Sequence, residues 1–421
     1  MKIFLGFTEI AGYYTNLQKG FDELGVESLF VNLTEHPFQY GNWNTTNLLV
    51  NLTRRLIKMR ASIPQSNWIL QALLQRLQTI SQVLLLCWAL MKYDVFIFGF
   101  LSSFLFFYDL PILKLFGKRI IYVFHGSDSR LPYIDGFINR NLGIVEIVEL
   151  TRKRKKQIQK IERYADFIVN TPLSSHLHEK PVLFFQMFGV PFKGDNIDSA
   201  KAETSPKIRI LHSPSDPEGK GTPRIRQAIQ NLQTTGYMIE FIEIVGKPNT
   251  VVLHELARCD LIIDQLYSDV PMAGFAAEAA FFGKPAIVGG YAQAEIQRIF
   301  PPDMLPPTHY CHPDDIEQAI EKLIVDEQYR VELGQRAKQF VESHWTIQHV
   351  AECYLRVIEG NICDWWLYDP RDIRYLWGAG LPKQRAKQLV RAVIEQGGTQ
   401  ALQLSDKPEL ERLLLEFSTS V

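Results

Sequence analysis

The sequence predicts an α/β protein of two doubly wound, Rossmann-like domains in tandem, closed by an appended C-terminal helical segment. Three observations predict it. The chain has 421 residues, more than one ordinary core accommodates, so two domains of about 150 to 200 residues are expected. Short, continuous apolar runs recur between amphipathic segments, the pattern of parallel strands covered on both faces. A polar, proline-bounded stretch, "PFKGDNIDSAKAETSP" from Pro191 to Pro206, interrupts that alternation, which then restarts. The expected division is 1–190, a linker at 191–206, a second domain at 207–360 and a helical extension at 361–421.

Element by element, "KIFLGF" opens as a strand, "TNLQKGFDELG" is an amphipathic helix ended by Gly25, and "ESLFVNL" is a second strand. A polar, irregular stretch follows to about Ser81. "DVFIFGF" and "RIIYVFHG" are buried strands, the aromatic-rich run after the first of them reads as a helix, and "DFIVNT" and "PVLFFQM" complete the set. In the second domain come "KIRILHS", a helix from Thr222, "IEFIEIVG", a helix, "DLIID", a helix from about Gly274 and "PAIVGG". Helices from Asp314, Asp326 and Thr346 close the unit. The charged, helical tail from Trp365 suits an interaction hairpin.

Composition excludes some classes. With 46% hydrophobic and 22% charged residues and a net charge of −1, no bulk attraction to nucleic acid exists. Five scattered cysteines without a CxxC fit a reducing compartment. Met1 leads into a strand with no basic n-region, so a cytoplasmic protein is expected and the Asn-x-Thr triplets at Asn32, Asn44 and Asn51 carry no weight. "LQTISQVLLLCWALM" and "VFIFGFLSSFLFFY" are uncharged over 15 and 14 residues, short of the about 18–20 that a spanning helix needs. The run Arg152, Lys153, Arg154, Lys155, Lys156 opens a helix. Such runs are ordinarily solvated, yet this one, with Arg54, Arg55, Lys58 and Arg60, would also suit peripheral contact with anionic lipid on the inner membrane face.

Ligands of open parallel sheets bind beyond the carboxyl ends of the strands, and three loops there carry chemistry. After "KIRIL" come His212, Ser213 and a polar loop ending in Lys220-Gly221, before a helix with Thr222 and Pro223 at its start. Free backbone N–H groups and a lysine at that place favour a phosphate, although a solvated lysine explains the spacing equally. After "DLIID", a helix of small residues begins at Gly274, Phe275 and Ala276, with Glu278 in its first or second turn. Alone, Glu278 reads as a dipole-offsetting carboxylate; beside a ligand it would accept hydroxyl hydrogen bonds. After "YVF", His125-Gly126-Ser127-Asp128-Ser129-Arg130 packs polar groups at the site-forming end.

Together these features resemble the retaining GT-B glycosyltransferases of the family-four type, over roughly residues 1 to 360. The matching signature is Lys220-Gly221 before one helix and Glu278 ahead of Gly283-Lys284-Pro285, 58 residues from lysine to glutamate. The resemblance implies a nucleotide-diphosphate sugar as donor, with no cofactor and no metal. It implies Lys220 on the diphosphate, the amides of Gly274, Phe275 and Ala276 on the distal phosphate, and Glu278 on the ribose. His125 would lie near the donor sugar, and the loop at Ala11, Gly12 and Tyr13 would close over the phosphates or the acceptor, with Asp128 and Arg130 in the cleft. A glycan or lipid-linked acceptor and a role in surface polysaccharide or glycolipid synthesis follow. Helix dipoles and cations stabilise the departing diphosphate in such enzymes, and the chain has no Asp-x-Asp. Two positions depart from the pattern. Ser215 stands where an arginine is common, with Arg224 or Arg226 as substitutes, and Val270 stands where a second acid is common, beside Asp269.

A non-catalytic protein of the same architecture and a nucleotide-sugar epimerase are the competing readings; the epimerase needs several acid–base groups at the cleft, of which His125 is the obvious one. "HYCHP" at His309, Cys311 and His312 lacks a spaced second pair of metal ligands and reads as structural. His176 and His178 have no role assigned. Gly-x-Ser-x-Gly and a Walker loop are missing, and "IVGG" is too short for a dinucleotide fingerprint.

Overall fold

A computed structural model describes residues 1–34, 46–64, 66–185 and 206–420. The expected linker lies outside them but for its last position. Two parallel-sheet α/β units are present.

The first contains β1 (Ile3–Phe7), α1 (Tyr13–Glu23), β2 (Ser28–Asn32), α2 (Leu48–Ala61), α3 (Trp68–Lys92), β3 (Val95–Gly99), α4 (Leu110–Leu115), β4 (Arg119–Val123), α5 (Ile144–Tyr164), β5 (Phe167–Val169) and β6 (Val182–Leu183). The second contains β7 (Ile208–His212), α6 (Thr222–Thr234), β8 (Ile239–Glu243), α7 (Asn249–Arg258), β9 (Leu261–Gln265), α8 (Gly274–Phe281), β10 (Ala286–Gly289), α9 (Gln293–Ile299), β11 (His309–Cys311), α10 (Ile316–Val325) and α11 (Glu327–His344). Then follow α12 (Ile347–Glu359), β12 (Leu367–Tyr368), α13 (Lys383–Gly397) and α14 (Pro408–Thr419).

Strand order is β12-β6-β5-β4-β3-β1-β2 in one sheet and β11-β10-β9-β7-β8 in the other. All pairings are parallel except β12 with β6. The chain therefore reverses direction across the sheet between β1 and β3, and again between β7 and β9, which makes these the crevices where ligands bind.

Period-two alternation builds the first core. Phe4, Phe96 and Phe98 face one side and meet Phe104, with the Phe4 and Phe104 ring centroids 5.0 Å apart. Ile3, Leu5, Val95 and Ile97 face the other, against α1 and α12. Full burial of each such side chain is worth about 1.5–3 kcal/mol.

Three expectations are corrected. The stretch expected to be irregular up to Ser81 forms α2 and α3, capped by Asn47 on Leu49 and Val50 and by Asn67 on Leu70. At 25 residues α3 is, by length and composition, long and apolar enough to cross a membrane. The two uncharged runs alone hid this, because the helix begins well before the uncharged segment. The aromatic run after β3 is not a helix: Phe100, Leu101, Phe106 and Phe107 take left-handed backbone angles, and only α4 is helical.

The third correction concerns the chain's end. α12 crosses to the first unit and packs on α1 so closely that a Cβ on Gly20 would lie 2.1 Å from the Ile347 carbonyl oxygen. Residues 347–360, counted with the second domain in the sequence, thus pack on the first. The tail is no free hairpin either: Ala386, Leu389, Val390, Val393, Leu410 and Leu414 join the first unit's core.

Candidate functional site

The loops after β7 and β9 meet at the second sheet's switch point. The backbone N–H of Leu266 donates to the Lys220 carbonyl (2.8 Å), which ties the two loops together. Gly221 caps α6 at φ 76°, and a Cβ there would lie 2.6 Å from that of Leu266, so glycine is required. Facing this crevice across the two units is the loop after β1. A cavity of about 290 Å³ opens between them, lined by Ile10 and Ala11 from the first unit and by Ser213, Ser215, Lys220, Lys247, Asn249, Gly274, Phe275 and Glu278 from the second.

Five of the expected donor residues therefore share one cavity wall. Lys220 Nζ lies 3.2 Å from Oδ1 of the buried Asp264, which holds the ammonium at the mouth of the loop. Glu278 Oε1 accepts a 2.6 Å hydrogen bond from Asn249 Nδ2, which fixes the carboxylate at the wall. The first backbone hydrogen bond of α8 runs from the Ala277 N–H to the Ala273 carbonyl, leaving the amides of Gly274, Phe275 and Ala276 without intrahelical acceptors. The Ala276 side chain itself turns into the core. A Cβ built on Gly274 meets no atom within 4 Å. The protein's own packing thus does not demand that glycine, whose smallness leaves space in the cavity.

His212 is not at the wall. It is fully buried, with Nδ1 2.7 Å from the Ile263 carbonyl and Nε2 2.8 Å from Thr222 Oγ1. A carbonyl only accepts, so Nδ1 carries the proton and Nε2 accepts from the threonine. Burial lowers its pKa to about 4, keeping it neutral. It joins β7, β9 and α6.

The first unit departs most from expectation. Glu9 is buried, and its carboxylate accepts from the amides of Ile10 (2.9 Å), Tyr14 (3.1 Å) and Thr15 (3.0 Å). It takes up the amides of Tyr14 and Thr15, so the first turn of α1 does not offer those two N–H groups to an anion. Tyr13 is buried and hydrogen-bonds Tyr354. Asp128 is buried, accepts from the His125 amide at 2.7 Å, and is pushed up to about 6 by burial. Arg130 is buried between Asp135 and Asp269. Tyr13, Asp128 and Arg130 thus shape the cleft from behind and do not face it.

His125 lies against Tyr13 and Tyr14, with Nε2 3.0 Å from the Tyr14 hydroxyl. Burial lowers its pKa to about 3. It is neutral, and it does not line the cavity.

Neither arginine considered in place of Ser215 reaches the cavity: Arg224 pairs with Asp314 and Arg226 with Glu243. Asp269 is taken by Arg130. Lys247 is the cation that the sequence reading missed, along with Asn249; both follow β8, in "IVGKPN". The signal was available, since that segment is another strand-to-helix loop at the carboxyl edge. Of the basic run, only part is free to meet a partner. Arg154 donates to the Ser127 carbonyl, and Lys155 is held by Glu179 and Asp406, whereas Arg152, Lys153 and Lys156 are on the outer side. Among the described residues no group of three or more His, Cys, Asp or Glu is arranged to hold a metal ion. His309 bonds the Tyr329 hydroxyl at 3.0 Å.

No protein-family model and no curated protein matches the chain. Solved structures similar to it include MnaA of S. aureus with UDP, at 15% identity over 86% of this chain and 96% of that one, TM-score 0.45. HepE of Anabaena with UDP is similar at 11% identity over 86% and 100%, TM-score 0.49. The glycosyltransferase SnogD of Streptomyces nogalater is similar at 11% over 85% and 99%, TM-score 0.44. Identities this low, with TM-scores below 0.5, leave the chemistry to this chain's own residues.

Proposed function

We propose that the chain is a glycosyltransferase of the GT-B plan that moves a sugar from a nucleotide-diphosphate sugar to a glycan or glycolipid acceptor, with retention and without a metal. The supporting observation is the convergence of Lys220, Lys247, Glu278 and the open start of α8 on one cavity between two sheet switch points. Glu278 accepts the ribose hydroxyls, held for this by Asn249. Lys220, Lys247 and the amides of Gly274 and Phe275 surround the diphosphate. As the bond between the sugar carbon and the diphosphate oxygen breaks, negative charge grows on the departing diphosphate, and cations and amides already in place stabilise it without rearranging. The acceptor hydroxyl bonds to that sugar carbon, and its proton leaves with the diphosphate.

His125, expected beside the donor sugar, acts here at most as a neutral support for the wall made by Tyr13 and Tyr14. The setting proposed is cytoplasmic, at the inner membrane face, in surface polysaccharide or glycolipid synthesis.

A second reading rests on the first unit, which among the described residues brings only Ile10 and Ala11 to the cavity lining. A protein that binds a nucleotide-sugar without transferring it needs nothing more. Incubation with nucleotide-sugars and glycolipid acceptors, in chelator, separates the two. Transfer with the donor's anomeric configuration retained supports the enzyme. Binding without turnover on any acceptor supports the second reading.

A further inference from the structure

Helix α3 is apolar on its outward face and mixed on its inward one. The inward face sets Leu74, Leu85, Leu86 and Ala89 beside polar groups: Ser81 accepts from Thr53 Oγ1 at 3.1 Å, and Gln78 Oε1 accepts from Arg60 at 3.2 Å. Its outward face carries Trp68, Ile69, Leu73, Ile80, Leu84 and Met91, each between 48% and 82% exposed. The steps of four and seven residues keep Ile69 to Met91 on one side. A water-facing helix places polar residues there, so this stripe, on a helix about 37 Å long, is built to be covered.

What covers it is indicated by its surroundings. From His36 to Tyr93 there is no Asp or Glu and there are six Lys or Arg, in a chain whose net charge is −1. The loop after β3 adds exposed aromatic residues next to the α2–α3 pair, at the polar inner edge of α3. Phe106 is 67% and Tyr108 71% exposed, and Phe106 shares a cavity of about 510 Å³ with Gln78 and Gln82 of α3 and Arg60 of α2. Beyond the loop, Phe106 and Tyr108 line a hollow with Arg152, Lys153 and Lys156 of α5, and Lys160 Nζ sits 3.5 Å over the Tyr108 ring. An apolar ridge, with exposed aromatic residues and cations of α2 and α5 in the neighbouring hollows, matches the layers of an anionic bilayer surface: acyl boundary, interface, headgroup. A second copy would bring two acid-free cationic helix pairs together. A spanning position would strip the inward polar groups of their partners on α2.

We infer that the α3 face of the first unit docks on an anionic lipid bilayer, with α3 lying in the interface plane. This places the carboxyl end of β1, and with it the mouth of the cleft, at the lipid surface. The inference uses no residue of the donor cavity, so it stands or falls separately from the transferase reading.

The test is co-flotation of the full chain with phosphatidylcholine vesicles and with equimolar phosphatidylcholine and phosphatidylglycerol vesicles, without nucleotide. Strong binding to the anionic vesicles is expected, with a blue shift of tryptophan fluorescence that Trp68→Phe diminishes. Leu73→Glu, Ile80→Glu and Leu84→Glu together should lower partitioning by more than about tenfold. Arg55→Ser and Lys58→Ser should each cost about fivefold. Thermal unfolding of the triple variant serves as the folding control, and an unchanged midpoint is expected because the sites are exposed. Absence of binding to anionic vesicles, undiminished binding by the folded triple variant, or a wild-type dimer that the triple variant dissociates in place of vesicle binding would each overturn the inference.

Discussion

Arg130 of the first unit and Asp269 of the second form a buried ion pair across the cleft. Nε donates at 2.9 Å and Nη2 at 2.5 Å to the same carboxylate oxygen, while Nη1 donates to Asp135 at 2.9 Å. Burial opposes the guanidinium charge, but the two carboxylates raise its pKa on balance. The pair ties the loop after β4 in the first unit to the loop after β9 in the second.

Arg130→Ala should therefore destabilise the protein by about 3–5 kcal/mol, because two buried carboxylates lose their counter-charge. Arg130→Lys should recover only part of this, since a single ammonium cannot serve two carboxylates from that position. Urea unfolding midpoints measure both.

Gly274→Ala separates space for a ligand from space for the fold. Nothing in the protein lies within 4 Å of the added carbon, so the unfolding midpoint should stay within a few degrees of wild type. Nucleotide-sugar binding, followed by calorimetry, should be lost. A variant that binds normally would remove Gly274 from the site.

Lys247 and Lys220 face the same cavity, so each should contribute to diphosphate affinity. Lys247→Ala should weaken UDP, ADP or GDP (whichever the protein binds) by about tenfold, with a smaller effect on the matching nucleoside. Lys247→Arg should restore most of it. Equal losses for nucleotide and nucleoside would mean that Lys247 acts on the base side and not on the phosphates.

Three histidines make the fold acid-sensitive. His125, His176 and His212 are lowered by burial to about 3, 3 and 4 from 6.5. The unfolded chain takes up protons on them below pH 6.5 that the fold excludes. Their stabilising effect is therefore full above that pH and lost as pH falls toward 4, at about 1.4 kcal/mol per pH unit per proton. Asp128 has the opposite sign: raised by burial to about 6 from 3.8, it favours the fold below that window and loses this as pH rises through 6. The histidines outnumber it. Thermal midpoints should fall from pH 6.5 to 4.5, and labelled imidazole resonances of these three should not titrate above pH 5.

Much of this architecture is legible in the sequence, because continuous apolar strands and proline-marked loop ends are local signals. That Lys220, Gly274 and Glu278 lie near one another could be read because each sits at a strand-to-helix junction with its own spacing. The failures share one cause: they depend on what lies opposite. Arg130 and His212 look like cleft groups until Asp269 in the loop after β9, Ile263 of β9 and Thr222 of α6 meet them, and Asp128 until it turns back onto the His125 amide. Glu9 is silent in sequence, yet it takes up the amides of Tyr14 and Thr15 in the first turn of α1. Helix α3 escaped because apolar residues stand on its outward face (Ile69, Leu73, Ile80, Leu84) as well as on its inward one (Leu74, Leu85, Leu86), which blurs the helical period.

The central claim is that Glu278 and Lys220 hold a nucleotide-diphosphate sugar, and calorimetry with a panel of nucleotide-sugars tests it most directly. Wild type should bind one member of the panel. Glu278→Ala and Lys220→Ala should each weaken that binding by about tenfold to a hundredfold, the range for hydrogen bonds to charged groups; the unfolding midpoint of Glu278→Ala should stay near wild type, and that of Lys220→Ala should fall because the buried Asp264 loses its counter-charge. A folded wild-type protein that binds no nucleotide-sugar, or variants that bind as tightly as wild type, would contradict the account.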